Sequence, residues 1–154
     1  MALIYQPRAW PALQHPACAH PDCVQDHHHD PVTRGTVLVV EDHPLNRELV
    51  VDLLEAAGYT VRQAADGRGL LARVQTERSD LILLDLQLPG GDGFTLARQL
   101  TADPATRHIP LLAMSAYARP EEEAQAMAVG CVGFLAKPLN MRALVQTVSR
   151  LLGQ

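Results

Sequence analysis

The sequence predicts a doubly wound α/β domain built on a five-stranded parallel sheet. From Gly35 onward, short apolar runs bounded by turn residues alternate with segments of helical period. Apolar runs of this kind are typical of strands that are covered on both faces. A regular alternation of strand and helix favours a parallel sheet with right-handed crossovers. The chain has 154 residues, of which 47% are hydrophobic and 19% charged, so it can bury such a core as a single domain.

Five strands are expected in this sheet. Four of them are continuous apolar runs, and these are predicted to be covered on both faces. They are residues 37–40, 81–84, 111–114 and 132–135. The remaining strand, residues 59–63, alternates apolar and polar side chains, which is typical of an edge strand with one drier face.

Five helices are expected to follow the strands. They are predicted at residues 45–57, 67–77, 94–101, 120–129 and 141–152. The first ends at Gly58, a residue type that favours a helix C-terminus, and its predicted apolar face consists of Leu45, Leu49, Leu53 and Ala56. The fourth begins with Pro120 and then three acids that suit the positive start of a helix, Glu121, Glu122 and Glu123.

The first 34 residues differ in composition from the rest of the chain. They hold five of the eleven prolines and five of the seven histidines. Because proline interrupts helices and central strands, we expect residues 1–34 to be a flexible or partly extended tail and residues 35–154 to be the folded domain.

The tail also carries side chains that bind zinc in other proteins. They are His15, Cys18, His20, Cys23 and residues 27–29. The usual arrangement, two ligand pairs separated by a loop that folds around the metal, is absent. There are two alternatives to a metal site: a disordered tail, or a start codon that has been placed too early in the gene.

Composition excludes several classes of function. The net charge is −4 and no basic block occurs, so a nucleic-acid surface is not expected. No apolar run approaches the roughly 18 residues needed to cross a bilayer, and Pro7 and Arg8 interrupt the N-terminus before a signal region could form. The three cysteines, an odd number, favour a reducing compartment, so we expect a cytoplasmic protein in which Cys131 is a small core residue.

Polar side chains follow four of the predicted strands, where ligands bind in a sheet of this kind. They are Glu41, Asp42, Asp85, Ser115 and Lys137. Three carboxylates close together repel one another unless a cation joins them, and oxygen ligands select a hard divalent ion such as Mg²⁺. A hydroxyl and an ammonium can bind an anionic oxygen, so the set predicts phosphoryl transfer, with an aspartate able to accept the phosphoryl group itself. Taken alone, Asp42 could instead cap the first helix.

These residues lie in segments that resemble the receiver domain of two-component response regulators. The segments are residues 39–42, 84–89, 92–93, 115–116 and 137–138. The resemblance covers residues 35–154 and, since nothing substantial follows, is to the stand-alone, single-domain class. It implies a flavodoxin-like fold with strand order 2-1-3-4-5.

The resemblance also implies a role for each site residue. Asp85 would be the phosphoacceptor, and Glu41 and Asp42 would form the acidic pocket. Mg²⁺ would be bound by Asp42, Asp85 and the backbone carbonyl of Gln87, with Glu41 acting through water. Two further residues would contact the phosphoryl group: Ser115 as the switch hydroxyl, and Lys137, which precedes a proline bond that is commonly cis in the family.

The resemblance further implies how the signal leaves the site. Phosphorylation would draw Ser115 and the lysine inward and let Phe134, where the family commonly has a rotating tyrosine, turn toward the vacated space. The output surface would then be helix 4, strand 5 and helix 5, including residues 121–129 and 141–152. Gln87 and Tyr117 would flank the path of the water that hydrolyses the acyl phosphate, with the sign of their effect left open.

The expected function is therefore that of a response regulator in a phosphorelay. A sensor histidine kinase or a histidine phosphotransfer protein would phosphorylate it, and a downstream protein would read it. It would not be an enzyme, apart from its own phosphorylation and slow dephosphorylation. The alternatives are an inactive receiver-like scaffold, or a haloacid-type phosphohydrolase, in which an acid would be required where this chain has Gln87.

Overall fold

The computed structural model of the protein describes residues 33–89, 93–117 and 119–153. Within them, five strands alternate with five helices, as predicted. The elements are β1 (Thr36–Val40), α1 (Pro44–Ala56), β2 (Thr60–Ala64), α2 (Leu70–Thr76), β3 (Leu81–Asp85), α3 (Gly93–Ala102), β4 (Leu111–Ser115), α4 (Pro120–Ala128), β5 (Gly133–Ala136) and α5 (Met141–Leu151). Apart from the start of α2, every boundary lies within one residue of its prediction.

The strands form one parallel sheet in the order β2-β1-β3-β4-β5. This confirms both the expected order and the expectation that β2 is an edge strand. Asp85, the last residue of β3, is level with Met114 of β4, and Ser115 is level with Ala136 of β5. The residues that end these strands therefore reach the same edge of the sheet.

The three central strands are buried on both faces, as their continuous apolar runs predict. Successive side chains of a strand point to opposite faces of the sheet, so each face has a core of its own. One core includes Leu70 of α2 and Leu100 of α3, and the other includes Leu54 of α1 and Leu144 of α5. Burying one such side chain contributes roughly 1.5–3 kcal/mol to folding, so the two cores stabilise the sheet whose edge carries the polar residues.

The prediction that the fourth apolar run is covered on both faces is wrong. β5 lies at an edge of the sheet, three of its residues are only partly buried, and its last residue, Ala136, and Val132 just before it are exposed. An apolar run does not by itself distinguish a central strand from an edge strand, because both pack against helices on at least one face.

The predicted apolar face of α1 is wrong at three of its four residues. Leu45 and Leu49 are 70% and 51% exposed and Ala56 is exposed too, whereas Leu53 is partly buried against one of the cores. The buried residues of the helix are Val50, Val51 and Leu54. Both sets recur at helical spacing, so the periodicity does not decide between them. Packing against the sheet and α5 selects the valine-containing face.

Helix α2 begins three residues later than its predicted start at Gly67. The reason is Gly69, whose φ of 61° is left-handed and cannot belong to an α-helix. The turn that precedes the helix therefore ends at this glycine.

Gly93 brings α3 close to the segment that follows β3. A Cβ atom at this position would lie 2.5 Å from the backbone of Leu86. Only glycine permits this approach, so Gly93 lets α3 begin directly against the segment that follows Asp85.

Cys131 is 4% exposed and belongs to one of the cores, as predicted. Burial raises the pKa of its thiol to about 11. The thiol is therefore protonated at neutral pH and packs as a small apolar side chain.

The predicted tail lies almost wholly outside the described residues, and so do its zinc-ligand candidates. Arg34, at the predicted junction, donates its backbone N–H to Gly58 O at 3.0 Å, and its guanidinium lies 5.3 Å from the centre of the Tyr59 ring. None of the helices in the described part of the chain has the length and apolar character to span a bilayer.

Candidate functional site

Three of the predicted residues form a charged network at the carboxyl edge of the sheet. Lys137 donates from Nζ to Glu41 Oε2 at 2.7 Å and to Asp85 Oδ2 at 2.8 Å. Both carboxylate side chains are 2% exposed and the lysine side chain is 16% exposed. We call Glu41, Asp85 and Lys137 the lysine network; it joins the ends of β1, β3 and β5.

Backbone groups hold the other oxygens of the two acids. Gln87 donates its N–H to Asp85 Oδ1 at 2.9 Å, and His43 donates its N–H to Glu41 Oε1 at 3.3 Å. Each carboxylate thus accepts from the backbone N–H two residues further along the chain, in the loop that follows its own strand.

Burial and charge act together on this network. Burial raises the pKa of Glu41, and the nearby charge of Asp85 adds to the effect while Lys137 opposes it. Burial alone would lower the pKa of Lys137, but its hydrogen bonds to Asp85 and Glu41 outweigh burial and raise it. The lysine therefore remains an ammonium at neutral pH and compensates only part of the buried negative charge.

The residual negative charge suits a divalent cation. Oxygen atoms of Glu41, Asp42 and Asp85 lie within 4.8 Å of one another, and Asp42 is the most exposed of the three. Hard oxygen donors with one ligand facing solvent match Mg²⁺, which binds through one or two carboxylates and keeps several waters. The residues present therefore fit this ion.

Asp42 is not the cap of α1, which was the alternative role for it. The N-cap is His43, whose Nδ1 accepts a hydrogen bond from the N–H of Asn46 at 3.4 Å. The carboxylate of Asp42 is therefore not required by the helix start and remains available to the acidic pocket.

A second network surrounds the hydroxyl of Ser115, which is completely buried. Gln87 donates from Nε2 to Ser115 Oγ at 2.6 Å, and the hydroxyl in turn lies 2.9 Å from Glu122 Oε2 of α4. The amide of Gln87 also lies 3.4 Å from Glu122 Oε1. We call Gln87, Ser115 and Glu122 the serine network; it joins β4 and the loop after β3 to helix α4.

Sequence reasoning did not identify Glu122 as part of the site. It is one of three consecutive glutamates at the start of α4. The structure buries Glu122 partly and leaves Glu121 and Glu123 exposed. Glu122 lies four residues before Ala126, the buried residue of α4, so helical spacing places both on the helix face turned toward the sheet, and this spacing is the signal that could have identified Glu122.

The other predicted residues lie at the margins of the site. Phe134 of β5 is partly buried against the core beneath α4, and Tyr117 is 56% exposed with the Arg119 guanidinium 5.6 Å from its ring centre. The Lys137–Pro138 bond is cis, as the family resemblance implied. Asp92 lies outside the described residues.

A cavity of about 420 Å³ opens beside the lysine network, between α1 and the segment that leads into α5. Its apolar wall includes Leu49 and Met141, and its polar wall includes Glu41 and Lys137. The cavity explains why Leu49 is exposed: this side chain lines an open groove instead of the core.

Comparison with known proteins assigns this arrangement to a family. Residues 37–149 match the response regulator receiver domain. The polar-differentiation response regulator DivK of Brucella anthropi is 36% identical over 118 residues, which are 77% of this chain and 96% of DivK. The gliding motility regulatory protein of Myxococcus xanthus is 39% identical over 119 residues, which are 77% of this chain but only 15% of that protein.

Solved structures of similar fold agree with this assignment. The chemotaxis response regulator CheY4 of Vibrio cholerae superposes with a TM-score of 0.71 at 35% identity, covering 76% of this chain and 98% of CheY4. The receiver domain of the sensor histidine kinase PA1611 from Pseudomonas aeruginosa, solved with a magnesium ion coordinated in its active site cleft, superposes with a TM-score of 0.71 at 31% identity. That match covers 78% of this chain and 98% of the PA1611 domain.

Proposed function

This chain belongs to the response regulator receiver domain family, and we propose that Asp85 is the residue that accepts its phosphoryl group. The protein is thus a phosphorelay signalling protein, similar to DivK and CheY-like response regulators. The observation that supports Asp85 is its position at the centre of the site. Its carboxylate contacts Lys137, lies among the acidic oxygens and adjoins the loop that reaches Ser115.

The transfer step uses a carboxylate oxygen of Asp85 as the nucleophile. This oxygen forms a bond to phosphorus while the bond between phosphorus and the donor's histidine nitrogen breaks, and the imidazole leaves with the bonding electron pair. The product is an acyl phosphate. Water later attacks the phosphorus atom, which releases inorganic phosphate and restores the carboxylate.

We assign the metal site to the carboxylates of Asp42 and Asp85 and to the backbone carbonyl of Gln87, with Glu41 acting through water. Mg²⁺, when bound, supplies positive charge that offsets the charge on the transferred group. Lys137 supplies a second positive charge, because its ammonium already lies 2.8 Å from Asp85 Oδ2. Stabilisation of this charge is most of what phosphoryl transfer requires from a protein.

The signal then leaves through β4, α4 and β5. Phosphorylation adds about −1.5 to −2 charges at the sheet edge, which attracts the Ser115 hydroxyl and Lys137. Phe134, partly buried next to α4, repacks as the hydroxyl moves. The surface formed by residues 121–129 and 141–152 changes shape and contacts a downstream protein.

A receiver domain implies a histidine kinase or a histidine phosphotransfer protein as the phosphoryl donor. We infer a cytoplasmic location for this exchange and no catalysis beyond the chain's own phosphorylation and dephosphorylation. The phosphohydrolase alternative gains no support, since the amide of Gln87 occupies the position that would require an acid and is engaged with Ser115.

Intact-mass measurement after incubation with acetyl phosphate tests the acceptor assignment. One added phosphoryl group is expected in the wild type with Mg²⁺, and none after chelation or in Asp85→Asn. Asp80→Asn is a matched control, because Asp80 lies at the opposite end of β3 and its carboxylate accepts from the N–H of Thr36. No adduct in the wild type at early time points would favour the inactive scaffold, and an adduct in Asp85→Asn would assign a different acceptor.

The output assignment has its own test. Backbone amide signals of residues 121–129 and 141–152 are expected to shift when beryllofluoride, a stable mimic of the phosphoryl group, binds with Mg²⁺. Unchanged signals in both segments would contradict this output surface while leaving the acceptor chemistry intact.

A further inference from the structure

We propose that Glu122 holds the Ser115 hydroxyl away from Asp85 in the unphosphorylated protein, so that phosphorylation and the Ser115–Glu122 hydrogen bond exclude each other. Glu122 is then the positioning residue through which the site contacts helix α4. This inference rests on the proposed function, because it requires a phosphoryl group at Asp85.

The first argument is the hydrogen-bonding capacity of the hydroxyl, which has one hydrogen to donate and two lone pairs to accept with. Ser115 Oγ accepts from Gln87 Nε2 at 2.6 Å and from the N–H of Tyr117 at 3.1 Å. The single hydrogen is left for Glu122 Oε2 at 2.9 Å, in preference to the longer contact with Tyr117 O at 3.2 Å. To donate to a phosphoryl oxygen, the hydroxyl must therefore release Glu122.

The second argument is that the acceptor is charged and held in place. A hydrogen bond to a carboxylate is stronger than one to a neutral acceptor. Gln87 fixes the arrangement from the other side, since its amide nitrogen lies near both Ser115 and Glu122 and its Oε1 accepts from the N–H of Ala116 at 2.9 Å. The glutamine belongs to the loop after β3, so the serine network ties α4 to the segment that contains the acceptor.

The third argument is that the contact joins the site to an element that can move. Glu122 lies in the first turn of α4, and Ala126 is the only residue of that helix that is fully buried. Few buried contacts therefore hold α4 to the sheet, and loss of the Glu122 contact removes one of its attachments at the site. The phosphoryl group and Glu122 compete for the one hydrogen bond that the Ser115 hydroxyl can donate. This competition couples phosphorylation to the position of the helix.

The test measures the affinity of Mg²⁺-dependent beryllofluoride binding by calorimetry in a set of matched variants. Glu122→Ala is expected to bind about tenfold more tightly than the wild type, because the competing acceptor is gone. Glu122→Gln keeps a weaker, neutral acceptor and is expected to fall between the two. Glu121→Ala and Glu123→Ala remove the same charge from exposed positions of the same turn and are expected to match the wild type.

A double-mutant cycle separates action through Ser115 from simple charge repulsion. In a Ser115→Ala background, Glu122→Ala is expected to have no effect on the affinity, because no hydroxyl remains to be held. An equal tightening in both backgrounds would overturn the proposal in favour of direct repulsion between Glu122 and the anion.

Amide hydrogen exchange supplies a readout on the helix itself. Exchange in α4 is expected to rise when the wild type binds beryllofluoride and to be raised already in unliganded Glu122→Ala. If the wild type binds beryllofluoride and all the glutamate variants bind it with the same affinity, this inference is overturned and the proposed function is not. Absence of wild-type binding, together with absence of a phosphoryl adduct, would overturn the proposed function and this inference with it.

Discussion

The lysine network and the serine network lie side by side at one edge of the sheet, but they differ in charge and in what they connect. The lysine network is ionic and joins three strand ends that are fixed by the sheet. The serine network is built around a hydroxyl and an amide, its one charged member is Glu122, and it includes a helix. The difference indicates separate roles: the ionic network on the strand ends suits the chemistry, and the network attached to α4 suits transmission of its result.

The largest effect is expected from removing the centre of the lysine network. Lys137→Met leaves two buried carboxylates without their cation, so the free energy of unfolding without Mg²⁺ is expected to fall by about 3 kcal/mol. Added Mg²⁺ is expected to restore more stability to this variant than to the wild type, because it replaces the lost positive charge. Urea denaturation with and without Mg²⁺ measures both quantities.

The matched control for this variant is Arg142→Met, which removes an exposed cation from α5. It is expected to change stability little in either condition. If the loss in Lys137→Met were the same with and without Mg²⁺, the lysine would be acting through packing and not through charge.

A change in the serine network is expected to lower the free energy of unfolding less than Lys137→Met does, and to have its main effect on the response of α4 to phosphorylation. Ser115→Ala removes the acceptor for two N–H groups, so the free energy of unfolding is expected to fall by about 1–2 kcal/mol. Phosphorylation of Asp85 is still expected, but the amide signals of α4 should no longer follow it. Ser115→Thr keeps the hydroxyl, and a loss of the α4 response in this variant as well would contradict the role of the hydroxyl.

The two candidates for control of phosphoryl lifetime are expected to differ. Gln87→Ala removes an ordered side chain beside Asp85 and should shorten the lifetime severalfold by admitting water. Tyr117→Ala removes a mostly exposed ring and is expected to have little effect. Decay of the phosphoryl adduct by mass spectrometry gives both rates, and a larger effect in Tyr117→Ala would reverse this ranking.

The smallest expected effect is a change in the pKa of one side chain, that of Lys137. Lys137 is the only lysine in the chain, so lysine-selective isotope labelling gives one side-chain signal. Its pKa is expected above the usual 10.5, and Glu41→Gln should lower it because one of two charged acceptors is lost. Since the pKa is raised by folding, the stability from this ion pair is fully present below pH 10.5 and is lost as the pH rises through the folded-state pKa. A pKa unchanged by Glu41→Gln would leave Asp85 as the dominant partner.

Much of the fold was predictable because strand and helix periods differ and glycine marks the turns. The strands β1, β3 and β4 each contain four consecutive apolar residues, and such runs are typically buried on both faces. The exposure of Leu45 and Leu49 was not predictable, because α1 has apolar residues on more than one face. A helical period describes one chain segment, whereas the choice of face depends on what packs against it.

The sequence by itself determined the order of the elements and the five polar residues that follow the strands, since the carboxyl ends of parallel strands share one edge. It also carried the family signature, which residues 37–149 match. Only the tertiary structure decided that Glu122, and neither of its neighbours in the sequence, reaches Ser115, and that Gln87 joins them. Helical spacing places Glu122 on the same face of α4 as the buried Ala126, but its contact with Ser115 and Gln87 depends on how the helix and the loop after β3 pack on the sheet, which is set by side chains distant in sequence.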